Sequence, residues 1–193
     1  MTDTLSEMIG RTFRYVLEAA GEGAPWALEA IYRDLAPAVL GYLRGQRAVE
    51  PEDLTSEAFV GVVRGLREFR GDERSFRSWV FSIAHRRLID ERRRLARHRE
   101  VAVDPSALAG PLAGSAVGNA EDDAVAHLGD RWAVRTLDVL TDDQRSVLLL
   151  RVLADLSVDE VARLLGKRPG AVKTLQRRAL ATLARYLERQ GVS

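Results

Sequence analysis

Residues Leu156 to Leu180 read LSVDEVARLLGKRPGAVKTLQRRAL, a run that can fold in very few ways. Ser157 can cap a helix, and Glu160 three residues later can reach back to it, which makes a capping box. Val161, Leu164 and Leu165 then share one face at helical spacing. Gly166 stands where a helix ends in a left-handed residue, and Pro169 suits the first turn of a second helix. Ala162, Gly166 and Val172 supply two small residues and an apolar plug, so the two helices can cross closely. The second helix carries Lys173, Thr174, Gln176, Arg177 and Arg178, side chains that bond to phosphates and base edges. A plain helical hairpin with a solvated basic face would need only the periodicity. Caps, turn glycine, small packing residues and basic helix together predict a DNA-reading helix-turn-helix.

Charge segregation extends this reading upstream. The formal net charge of the 193 residues is only +1, so binding to nucleic acid has to come from local clusters. Between Arg86 and Arg99 there are seven arginines against Asp90 and Glu91. Between Lys167 and Arg189 there are seven Lys or Arg against Glu188 alone. The intervening stretch from Glu100 to Asp130 holds six acids and no Lys or Arg. Two basic blocks separated by an acidic spacer predict two nucleic-acid contacts on one tether.

The apolar pattern is helical almost throughout, and no alternating strand run stands out. Leu5, Met8, Ile9, Phe13, Val16 and Leu17 make an amphipathic N-terminal helix ending near Gly21 and Gly23. A second helix starts after Pro25, with Pro37 expected to kink or interrupt it. Pro51, Glu52 and Asp53 open a third, with proline in the first turn and acids toward the positive end of the dipole. A polar loop from Arg70 to Arg74 leads into a long helix from about Ser75. Phe76, Trp79, Val80, Ile83, Ala84 and Leu88 form its apolar face, and the aromatics there read first as core. After Arg99, prolines, glycines and small residues replace the helical stripe, which predicts a mobile linker. Order is expected again near Leu128 to Trp132. Thr141 and Gln144 then form a second capping box, ahead of the helix that buttresses the helix-turn-helix. The fold class is all-α: two helical modules joined by a flexible acidic linker.

Several chemistries are excluded or disfavoured. With no cysteine there is no disulfide or thiol chemistry, and His85, His98 and His127 lie far apart with no carboxylate pair at metal spacing. No metal and no cofactor is expected, nor is catalysis, since glycine-rich phosphate loops are missing too. The start, MTDTLSEMIGRTF, lacks the pattern of a signal peptide, and no stretch approaches the roughly 18 apolar residues of a membrane span. A cytoplasmic protein without membrane insertion is expected.

Read in order, the motifs resemble those of bacterial sigma factors of the extracytoplasmic-function type, which carry only sigma regions 2 and 4. IYRDLAPAVLGYL is similar to the opening helix of region 2, and EPEDLTSEAFVGVVRGLREFRG to the segment that docks on the polymerase clamp. SFRSWVFSIAHRRLIDERRR resembles the helix that opens and reads the −10 element. LTDDQRSVLLLRVLADLSVDEVARLLGKRPGAVKTLQRRAL resembles the region 4 module for the −35 element. The amphipathic N-terminal helix makes an extension over 1–25 that is longer than the minimal family pattern; the resemblance implies region 2 over 26–99, a linker over 100–130 and region 4 over 131–193. It implies contacts to core polymerase at Asp53, Glu57, Phe59, Val60 and Arg64. It places the −10 element at Arg70, Gly71, Asp72, Phe76, Trp79, Arg86 and Arg87, where the loop from Phe69 to Ser75 would trap a flipped base. The −35 element falls to Arg168, Lys173, Thr174, Gln176, Arg177 and Arg178. The implied partners are core RNA polymerase, promoter DNA and a regulator such as an anti-sigma factor, with the free chain a monomer.

This chain departs from the family pattern in places. Arg86 stands where many relatives have asparagine, Arg168 where they often have a serine cap, and Leu175 precedes Gln176 in the recognition helix. Base preferences of relatives therefore do not transfer. The alternative function is a free-standing helix-turn-helix regulator, which would normally be a symmetric dimer on two half-sites and would leave the upstream module without a purpose.

Overall fold

The computed structural model describes residues 13–101 and 136–191. All regular structure among them is helical. A short helix α1 (13–21) is followed by α2 (Pro25–Gly45), α3 (Pro51–Gly65) and α4 (Glu73–Val101), which form the first module. A 3-10 turn (Leu137–Val139), α5 (Asp142–Val152), α6 (Val158–Leu165) and α7 (Pro169–Arg189) form the second. The expected linker over 100–130 and the ordered stretch near Leu128 to Trp132 lie almost wholly outside the described residues, as do Leu5, Met8 and Ile9.

Helix starts follow the local chemistry. Prolines open α2, α3 and α7, where a missing N–H is no loss. Both predicted capping boxes are formed. Thr141 Oγ1 accepts from the Gln144 N–H at 3.3 Å, and Ser157 Oγ from the Glu160 N–H at 3.2 Å, each with the reciprocal bond in place. The long helix begins two residues earlier than expected, at Glu73, because Asp72 caps it. The Asp72 carboxylate accepts from the Ser75 N–H at 2.8 Å. Hydrogen bonds from Ser75 hold that carboxyl below its ordinary pKa.

Pro37 does not interrupt α2, which runs through it. An interior proline removes one backbone hydrogen bond and costs about 3 kcal/mol. Burial offsets that cost here: Leu35, Ala36, Val39, Tyr42 and Leu43, on both sides of Pro37, all face one core. Burying a large aliphatic side chain contributes about 1.5–3 kcal/mol.

The extension before Trp26 is not a separate piece over its described part. Val16 and Ala20 of α1 are buried in the first module's core, Phe13 packs on Phe76 at 5.6 Å between ring centroids, and Arg67 Nε donates to the Gly21 carbonyl at 3.0 Å. At the centre of that module Tyr42, fully buried, sets its hydroxyl 2.7 Å from His85 Nδ1. Burial, helped by the Arg92 charge, pushes the His85 pKa down.

Candidate nucleic-acid interface

In the second module α6 and α7 form the helix-turn-helix. Gly166 ends α6 with φ +63°, the left-handed conformation that glycine adopts without a Cβ penalty. The Lys167 N–H returns to the Ala162 carbonyl at 2.8 Å, which closes the turn. Val161, Ala162 and Val172 are buried where the helices cross, so the predicted small-residue packing is present. The outer face of α7 is left to solvent. Arg168, Lys173, Arg177 and Arg178 are exposed, and none has an ion-pair partner among the described residues. Lys173 and Arg177 are four apart and share a face; Arg178 is turned well away from it. The Thr174 hydroxyl bonds back to the Gly170 carbonyl at 3.0 Å, and Gln176 is half-buried.

The first module carries a cleft of about 670 Å³ between the end of α3, the following loop and α4. Phe69, Trp79 and Ile83 give it apolar walls, and Arg70, Arg86 and Arg87 line it with charge alongside Glu68 and Asp90. A complementary pair of spacings builds it. Gly61 and Gly65 are four apart on α3, and Trp79 and Ile83 four apart on α4. A β-carbon on Gly65 would stand 2.7 Å from Trp79 Cζ2, and one on Gly61 3.1 Å from Ile83 Cγ2. The indole therefore lies directly across the α3 backbone. Phe69 packs on Trp79 and Phe76 at 5.1 Å each, which braces the loop from beneath. Arg70 Nη1 donates to the Arg67 and Phe69 carbonyls at 2.8 and 2.7 Å, so its guanidinium folds onto its own loop.

Of the residues expected at a −10 contact, the cleft brings together Arg70, Trp79, Arg86 and Arg87. Asp72 caps α4 and stays exposed at the loop. Phe76 is 2% exposed and belongs to the core, so it braces the loop and presents no surface to a ligand. Gly71 lies in the loop, where a β-carbon would come within 3.0 Å of both Phe69 and Ser75. Gly61 and Gly65 were missed as cleft residues, while Phe69, expected only as the start of the loop, forms one of the cleft walls; the matched glycine and Trp/Ile spacings are the signal that could have found the glycines.

A third surface runs along α3. Asp53, Glu57, Val60 and Arg64, at intervals of four, three and four, form one exposed stripe. Val60 and neighbouring Val63 are each 48% exposed, unusual for valine on a helix that buries its opposite side. Phe59 points the other way. It is 7% exposed, edge-on to Tyr32 at 4.8 Å, and is core rather than contact surface. Glu57 lies 3.9 Å from Arg87, linking this stripe to the cleft rim.

Among the described residues no three His, Asp or Glu side chains stand close enough to hold a metal ion, and no helix is long and apolar enough to cross a membrane.

Known proteins match both modules. The family profile described as Sigma-70 region 2 matches residues 31–98, and that described as Sigma-70, region 4 matches residues 130–183. The ECF RNA polymerase sigma factor ShbA of Streptomyces griseus is 30% identical over 97% of this chain and 100% of its own length. The ECF RNA polymerase sigma factor BldN of Streptomyces coelicolor is 34% identical over 89% of this chain and 64% of its own. Among solved structures, CnrH in complex with the cytosolic domain of CnrY has the same fold, with a TM-score of 0.63 over 91% of this chain and 97% of that one, at 21% identity.

Proposed function

This chain belongs to the sigma-70 family, among the extracytoplasmic-function RNA polymerase sigma factors, and we propose that its two cationic surfaces read the two elements of a promoter. It is a promoter-specificity subunit: it binds core RNA polymerase and promoter DNA and directs the start of transcription. The observation that carries the residue-level reading is the pairing of surfaces. An unpaired basic stripe on α7 and an aromatic cleft with an arginine rim against α4 sit on different modules of one chain.

On this reading Lys173 and Arg177 face the −35 element, with Arg168 at the helix start and Thr174, Gln176 and Arg178 on the flanks. The cleft takes a base extruded from the opened −10 strand. Trp79 and Phe69 offer faces for stacking, which contributes about 1–3 kcal/mol per base and offsets unstacking from the duplex. Arg86 and Arg87 hold the adjoining backbone. The stripe Asp53, Glu57, Val60 and Arg64 docks on core polymerase. The protein supplies no catalytic group of its own, since nucleotide addition belongs to the polymerase, and it works in the cytoplasm where that enzyme is. A protein regulator that masks one of these faces, such as an anti-sigma factor, completes the reading.

Single alanine substitutions in α7 test the −35 assignment. A residue that contacts phosphate alone weakens binding to every sequence and lowers the salt slope by about one unit. A base-reading residue costs about 1–3 kcal/mol on the cognate site and relaxes preference at one position. Lys173→Ala and Arg177→Ala are expected to show one of these patterns and Arg178→Ala a weaker effect, in salt titrations of holoenzyme on promoter DNA. Wild-type binding by all three variants would place the recognition surface elsewhere.

A further inference from the structure

Two acids, Glu68 and Asp90, line the cleft of the first module among Arg70, Arg86 and Arg87. A carboxylate repels phosphodiesters and takes hydrogen bonds only from donors. Beside a nucleic-acid strand it is therefore unfavourable unless a base offers it an N–H. The bases differ in that respect. Cytosine, adenine and guanine each carry an exocyclic amine, and a Glu or Asp side chain accepts well from such a group. Thymine has no amine and sets carbonyl oxygens on both sides of its one ring N–H.

Spacing decides which acid meets the captured base. Trp79, Ile83, Arg86 and Asp90 follow one another at intervals of four, three and four, hence on one face of α4. Trp79 and Asp90 are thus separated by about 16 Å, at about 1.5 Å per residue. A base stacked on the indole is out of reach of Asp90, which stands beside the adjoining backbone and lies 3.8 Å from Arg93. Glu68 is at the other end of the cleft. It directly precedes Phe69, one of the two stacking walls. The Glu68 and Phe69 N–H groups both return to the Gly65 carbonyl at 3.1 Å, so one oxygen fixes the acid and the aromatic together. Gly65 is also the residue against which the indole lies.

The neighbouring cations leave the Glu68 carboxylate available. Arg67 Nε donates to the Gly21 carbonyl at 3.0 Å, and Arg70 Nη1 to the Arg67 and Phe69 carbonyls at 2.8 and 2.7 Å. Glu68 itself is exposed and forms no ion pair among the described residues. We propose that Glu68 sets the base preference of the cleft: its carboxylate accepts a hydrogen bond from the exocyclic amine of the captured base, so that cytosine, adenine or guanine is held and thymine is rejected. This rests on the capture of a −10 base proposed above. A merely solvated acid at this position would leave base preference untouched.

The test is binding of holoenzyme to a promoter that the wild-type chain transcribes, with single non-template nucleotides of the −10 element replaced. An abasic scan finds the captured base, since loss of the stack should weaken binding there by about five-fold or more. At that position an analogue lacking only the amine (2-pyrimidinone for cytosine, purine for adenine, inosine for guanine) should bind the wild-type holoenzyme about ten-fold more weakly, and thymine at least as weakly. With Glu68→Ala both losses should shrink to less than about two-fold, because the acceptor is gone. Glu68→Lys offers donors where the carboxylate offered acceptors, and should turn the preference towards thymine. Asp90→Ala should leave the preference at this position as it is in the wild type. A captured thymine, an amine-free analogue bound as tightly as its parent, or equal losses in wild type and Glu68→Ala would each overturn the assignment of Glu68 while leaving base capture in place. If no abasic position weakens binding, base capture itself is contradicted and the assignment falls with it.

Discussion

Reversing the two acids on the exposed stripe of α3, Asp53→Lys with Glu57→Lys, is expected to weaken binding to core polymerase at least about 30-fold, roughly 2 kcal/mol. Both side chains are exposed, so the change leaves the core of the first module in place. The stripe combines two acids, an exposed valine and Arg64, a mixture suited to an interface with a polar rim around an apolar contact. Placing like charges across such a contact costs several kcal/mol, whereas loss of an isolated surface charge costs little. Glu57→Lys also removes the partner of Arg87 at 3.9 Å, a weak pair given the exposure of both groups. DNA binding through α7 should be unaffected, because α3 and α7 lie on different modules. Equilibrium titration of labelled chain with core polymerase checks the first expectation, and promoter-fragment binding the second. Unchanged polymerase affinity would mean that the stripe is only a solvated helix face.

Arg145→Ala is expected to destabilise the second module by about 3–4 kcal/mol, enough to unfold much of a small helical unit. The reason is the placement of the guanidinium, which is 2% exposed and bonded on every side. Nε donates to the Leu137 carbonyl at 3.2 Å, Nη2 to the Leu140 carbonyl at 3.0 Å and Nη1 to Asp142 at 3.2 Å. It thereby satisfies carbonyls of the 3-10 turn that leads into α5. Removing it strands the Leu140 carbonyl, leaves the Leu137 carbonyl with only the Leu140 N–H at 3.1 Å, and opens a cavity beneath the turn. Arg145→Lys keeps the charge but not the planar fork, so it should lose about half as much. Hydrogen exchange would locate the damage: amides of α5 to α7 should lose protection while those of α3 and α4 keep theirs. A loss below about 1 kcal/mol for Arg145→Ala would show that the carbonyls find other partners.

Much of this architecture was legible before any coordinates, and the legible parts share a cause. Capping boxes, opening prolines and the turn glycine act over three or four residues, so Thr141, Ser157 and Gly166 announce their roles locally. The exposed cations of α7 were equally plain, since a basic face opposite Val172 and Ala179 has only solvent to point into. What stayed hidden depends on partners distant in sequence. Phe59 and Phe76 became candidate contacts through the family resemblance, although the apolar face itself read Phe76 first as core; Tyr32 covers one, and Phe13 and Phe69 pack on the other. Asp72 read as a loop contact, and its role as the cap of α4, through one hydrogen bond from the Ser75 amide, was not read at all. Arg145 gave no sign at all, since a buried arginine looks like a surface one until its acceptors are placed. The Gly61–Gly65 spacing was visible but mute without the tryptophan and isoleucine that fill it.

The most direct test of the central claim is run-off transcription with core polymerase, free of other sigma factors, on a library of genomic promoter fragments. With the wild-type chain, discrete transcripts are expected from a subset of fragments that share a −35 and a −10 element. Lys173→Ala and Arg86→Ala should each reduce those transcripts, with the losses mapping to different elements. If core polymerase with the wild-type chain initiates on no fragment, or if the same transcripts appear without the chain, the assignment of promoter recognition to these two surfaces is contradicted.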